Sequence, residues 1–116
     1  MGTARHRAAR GVTVATVYAV FGSAEDAERI GRITVEERLA ACVNILAPCR
    51  SIYRWQGGIE NATEVPALFK TRETLADRLI ARIAALHDYD VPAAIAWPTS
   101  AAFAPYRDWI MAETAD

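Results

Sequence analysis

Two long extended stretches, "CVNILAPCRSIYRWQ" and "IENATEVPALFKT", face each other across Gly57 and Gly58. Both are rich in β-branched and aromatic residues, and a glycine pair between such runs signals a β-hairpin. Pro48 interrupts the first arm, since proline cannot donate to a ladder and belongs at an edge, bulge or bend. Strands this long outrun the small sheet that a chain of 116 residues can cover with two short helices. Their ends would leave N–H and C=O groups unpaired unless another chain meets them. Tyr53 and Trp55, two residues apart, share one strand face, and an exposed aromatic pair points the same way. They are the expected contacts between subunits, with packing inside one subunit's own core as the alternative.

The remaining elements follow from periodicity. Val12 to Phe21 reads as a strand. Ser23 is placed to cap a helix running to about Ala41, with Glu25 and Asp26 in its first turn. A second helix starts at Thr71 or Glu73, with Leu75, Leu79, Ile83 and Leu86 on one face. "VPAAIAWP" is a short strand, and a final helix carries Pro105 near its start. The order β-α-β-β-α-β-α predicts an α+β, ferredoxin-like (split βαβ) fold. In it a four-stranded antiparallel sheet carries two helices on one face, and a C-terminal helix is added.

Composition narrows the function classes. The formal charge is −1, and removing the +3 of Arg5, Arg7 and Arg10 in residues 1–11 leaves −4 for a single domain over 12–116. The tail is expected to be disordered, and the acidic body argues against nucleic-acid binding. The run "VTVATVYAVF" suits a buried strand better than a secretory h-region, and no run is long enough to span a membrane. Cys42 and Cys49, expected on one strand, are poorly placed for a disulfide. Reduced thiols and a cytoplasmic location are therefore expected.

Six blocks carry a resemblance: "EERLAACVNI", "SIYRWQGGIE", "TEV", "KT", "HDYDVP" and "YRDWI". In order and spacing they resemble the CutA divalent-cation tolerance family over roughly Thr13 to Ala112. The resemblance implies a homotrimer whose long strands pair across subunits, a role in tolerance of copper and other divalent cations, and no reaction. It also implies a cleft between subunits near Lys70, His87, Tyr89 and Trp109. A second reading is a PII-like trimeric regulator that binds a small anion or metabolite in that cleft through Lys70 and the arginines.

Lys70 is the only lysine, against twelve arginines, which suggests that a compact ammonium is needed there. Glu60 and Glu64 share a strand face, where they could meet Lys70, Arg54 or an incoming cation, or simply form ion pairs at a subunit seam. Cys42 reads as core filler, whereas Cys49, beside Arg50, is the better soft-metal candidate. His87 ends the second helix, where the dipole favours a cationic imidazole, so a structural role stands beside a metal or cleft role. No nucleophile, base and orienting residue come together, so no catalytic set is expected. Where family members best suited to copper carry cysteine, histidine and glutamate, this chain has Ala19, Leu86 and Ala93. Asp88 and Gly22 replace two prolines. No obligatory cofactor is expected, and Cu2+ or another divalent cation would be held weakly, through His87 and Cys49.

Overall fold

The computed structural model describes residues 13–115. The expected basic tail over 1–11 lies outside them. Strand β1 (Val14–Phe21) is buried along nearly its whole length, with Tyr18 half-buried. Ala15, Val17, Ala19 and Phe21 enter the main core, while Thr16, Tyr18 and Val20 point to the other sheet face. Helix α1 (Ala24–Glu36) starts where Ser23 Oγ accepts from the Asp26 amide at 3.1 Å.

This helix ends before the expected Ala41. Leu39 N–H bonds to Thr34 O, Arg38 N–H bonds to Val35 O, and Arg38 sits at φ 62°. That is a Schellman termination with arginine where glycine is the usual occupant. Leu39 and Ala41 are buried as expected, but on an extended segment that leads into the sheet.

The expected second strand is two strands, β2 (Cys42–Ile45) and β3 (Cys49–Trp55), parted by residues 46–48 with Pro48. The sheet therefore has five strands rather than four. Strand β4 (Gly58–Arg72) is 15 residues long and serves both. The hairpin turn is Gln56-Gly57, at φ 49° and 83°, one residue earlier than the glycine pair suggested. Two consecutive positive φ values match the turn type whose twist suits a tight hairpin.

All pairings are antiparallel, in the order β2-β4-β1-β5 with β3 on β4, where β5 is Ala94–Pro98. Helix α2 (Ala76–Leu86) follows a 3-10 turn over Glu73–Leu75 and buries Leu79 and Ile83. With Ile30 of α1 they close the core against Val17, Ala67 and Phe69. Helix α3 (Ala104–Glu113) seats Ile110 beside Val14 and Ala41. The Arg72 guanidinium holds its end through Met111 O, Thr114 O and Thr114 Oγ1.

The register fixes the shape. β1 stops at the pair Phe21↔Val65, so residues 58–64 of β4 pair with β3 alone and project as a two-stranded ribbon. The described residues accordingly extend 54 × 28 × 23 Å.

Leu79 is fully buried and Arg78 beside it is exposed. Leu79→Ala should lower stability by about 2–5 kcal/mol and Arg78→Ala by less than about 0.5 kcal/mol. Urea unfolding at one fixed protein concentration measures both.

Candidate functional site: a concavity beneath the ribbon

The turn after α2 brings His87 under the end of β1. Its ring stacks on Phe21 with centroids 5.0 Å apart and an interplanar angle of 15°. His87 Nε2 lies 2.7 Å from Val20 O, which can only accept, so Nε2 carries the proton. Nδ1 then accepts from the Tyr89 amide at 3.1 Å. Both nitrogens of this buried, neutral ring are thus used. Ligation of a metal by His87, one of the two roles expected for it, would cost one of these bonds.

His87 instead positions Tyr89. The phenol ring rests on the imidazole, centroids 4.6 Å apart, and its hydroxyl donates to Glu64 Oε2 at 2.9 Å. A Cβ on Gly22 would lie 3.4 Å from the Tyr89 hydroxyl, so this turn leaves room for the ring. Burial first, then the Glu64 hydrogen bond and nearby negative charge, push the Tyr89 phenol up to about 12. Glu64 is only 6% exposed.

Above this clasp a concavity of about 560 Å3 opens between ribbon and sheet, lined by residues including Tyr18, Tyr53, Trp55, Glu64, Tyr89 and Asp90. Tyr53 and Trp55 share its face, as their spacing predicted, and Glu60 stands opposite Tyr53. Cys49 pairs across the ribbon with Glu64, its Sγ 3.8 Å from Ser51 Oγ.

The expected cleft residues divide between two ends of the fold. Lys70 lies six residues along β4 from Glu64, roughly 20 Å away in an extended strand. It donates to Asn44 Oδ1 at 2.7 Å, so it does not meet Glu60 or Glu64 within one copy. Trp109 is at that far end too, stacked on Tyr106 at 5.9 Å. Cys42 is also there, pairing with Lys70, its Sγ 3.4 Å from the Tyr106 hydroxyl. Burial chiefly pushes that phenol up to about 12 as well. The two cysteines therefore sit on different strands, both free, and not on one strand as expected.

Among the described residues no group of three or more His, Cys, Asp or Glu side chains is arranged to hold a metal. Ala19 is buried in the core, Leu86 packs against it and Ala93 lines the concavity, none with a side-chain donor. Sequence reasoning missed Ile52 and Ile59, which carry the ribbon's opposite face at 74% and 66% exposure. Their alternation out of phase with Tyr53 was the available signal. It also missed Tyr18 in the concavity, and Asn44 as the partner of Lys70.

Because the folded Tyr89 pKa is raised above its ordinary 10, its contribution to stability is complete below pH 10 and falls away as pH rises toward about 12. Phenolate absorbance should show late-titrating tyrosine, with one such step lost in Tyr89→Phe. In Glu64→Gln that step should move down without reaching the ordinary range, because burial is the larger cause.

The family described as CutA1 divalent ion tolerance protein matches residues 15–113. The divalent-cation tolerance protein CutA of Pyrococcus horikoshii is 43% identical over 98 residues, covering 84% of this chain and 95% of that protein. The crystal structure of CutA from Xylella fastidiosa superposes with TM-score 0.85 at 40% identity, covering 88% of this chain and 98% of that one. The Archaeoglobus fulgidus CutA structure, described as a periplasmic divalent cation tolerance protein, gives 0.81 at 37% identity, with 84% and 94% covered. The chain spans 61%, 55% and 54% of the length of longer relatives from Danio rerio, Oryza sativa and Arabidopsis thaliana. These relatives carry the CutA name, and none supports the alternative of a PII-like regulator.

Proposed function

The chain belongs to the CutA1 divalent ion tolerance family, and from that premise we propose a non-enzymatic role in divalent-cation tolerance, exercised by an assembly of three copies. One observation supports the assembly: the ribbon of β3 and the first half of β4 projects beyond the sheet with both outer edges unpaired among the described residues. An isolated two-stranded ribbon is marginal in water, and a free edge is a template for another strand. Ile52 and Ile59 on its outer face, and Ile95 and Trp97 on the sheet face away from α1 and α2, add apolar surface that a monomer would leave wet. Closed rotational symmetry satisfies every copy at once, and the family resemblance supports three as the number. Tyr53 and Trp55 lie at the seam, between the neighbouring copy and the concavity. Such a seam is also where Lys70 and Trp109 of one copy can approach His87 and Tyr89 of another.

Divalent ions are held weakly in this reading. His87 has spent both nitrogens, and the donors left near the concavity are Glu60, Glu64, Asp90 and Cys49. An ion such as Cu(II) prefers several nitrogen or oxygen ligands in a tetragonal array. No nucleophile–base pair supports catalysis: Cys42 and His87 sit at opposite ends of β1. Among the described residues no helix is long and apolar enough to cross a membrane. The two free thiols support the cytoplasm as compartment, and the acidic body supports a protein without nucleic-acid partners.

Light scattering at micromolar concentration should return three times the chain's 12.7 kDa, and Ile59→Asp should lower that mass. A mass near 12.7 kDa for the unaltered protein would contradict the assembly. Chelator competition should give a Cu(II) affinity no better than micromolar, about −8 kcal/mol. Nanomolar binding after removal of residues 1–11, which takes away His6, would contradict the weak-site argument.

A further inference from the structure

We infer that Arg38 and Arg72 form a latch on the C-terminal end of α3, so that this helix is a strap that opens as a unit while the rest of the fold stays closed. Its apolar seat is small. Within residues 104–113 only Ile110 is buried, and it packs with Val14, Ala41 and the half-buried Met111 in a cluster apart from the main core. The helix has ten residues, too few to persist in water by itself. Residues 99–103, which join it to β5, form neither helix nor strand. Near its start the Tyr106 hydroxyl lies 3.4 Å from Cys42 Sγ, and a thiol is a weak partner. The strong fastening is polar and sits at the other end.

The last carbonyls of a helix need donors from outside it, and the dipole favours a cation beside them. The last turn of α3 has no base of its own and ends on Glu113. Other elements bring both cations. Arg38, just past the end of α1, donates from its guanidinium to Ala112 O at 2.7 Å. Arg72, at the end of β4, donates to Met111 O, to Thr114 O at 2.7 Å and to Thr114 Oγ1 at 3.1 Å. Thr114 is 2% exposed, and its hydroxyl donates to Ile110 O at 2.7 Å. The backbone of Arg38 is the independent observation. A glycine would end α1 without the cost of a side chain at φ 62°, but it has no guanidinium to offer α3. The arginine in this left-handed position is accounted for by its second task. Since α3 carries Tyr106 and Trp109, Arg38 and Arg72 are positioning residues for those rings. Only the approach of the rings to another copy rests on the proposed assembly.

The test is native-state hydrogen exchange on the full chain, resolved to the amides of α1, β1 and α3, with light scattering on the same samples. In the unaltered protein the α3 amides should exchange faster than those of β1, through local opening. Arg38→Gly keeps the carbonyl that accepts from the Ala115 amide and relieves the backbone. It should nonetheless speed exchange of α3 at least about tenfold, with α1 and β1 no faster and the mass unchanged. Arg38→Ala should release α3 to the same degree, and Arg72→Gln should release it too. Unchanged exchange of α3 in Arg38→Gly would overturn the latch. So would exchange that rises equally in α1, β1 and α3, which is opening of the whole fold. Slow exchange of α3 in Arg38→Gly but not in Arg38→Ala would confine Arg38 to ending α1, and would equally overturn it. Faster exchange of α3 found only together with a lowered mass would place the effect in the contact between copies, against the inference. The mass of the unaltered protein tests the assembly and its exchange pattern tests the latch, so the two fail separately.

Discussion

β4 pairs with β1 along one edge only from Val65 to Arg72, while its other edge is occupied first by β3 and then by β2. The lower half is thus a central strand, with core residues Val65, Ala67 and Phe69 held under both helices. The upper half is an edge with a single partner. Pro48 makes this division possible, because the chain bends between β2 and β3 and lets one long strand serve two shorter ones. The ribbon, the concavity under it and the surplus apolar surface all follow from that register.

The second structural constraint is the His87 clasp. A histidine with both nitrogens bonded is a connector, here between the end of β1 and the turn after α2. Through Tyr89 it reaches Glu64 on β4, so three elements are tied by side chains and backbone groups. The acid at the end of this chain lines the concavity.

Much of the fold was legible because its signals are local. The β-branched and aromatic run of β1, the Ser23 cap and the spacing of Leu75, Leu79 and Ile83 each report their own element. The end of α1 was not, because Arg38 takes the left-handed position that sequence reading assigns to glycine, and Leu39 and Ala41 mimic helical spacing. The site was legible in part. Pairs such as Glu60 with Glu64 and Tyr53 with Trp55 share a face by strand geometry alone. The bond from His87 to Val20 O spans 67 residues, and the separation of Lys70 from Glu64 depends on register, so neither could be read from spacing.

The account rests on the free β4 edge of the ribbon being covered by another copy. Alternate amides of residues 58–64 point away from β3, toward that edge. Native-state hydrogen exchange resolved to these amides is the direct test. The account predicts that they are protected as strongly as those bonded to β3, and that protection falls when the protein is diluted below its assembly range. Rapid exchange at every concentration, with only the β3-facing amides protected, would contradict it.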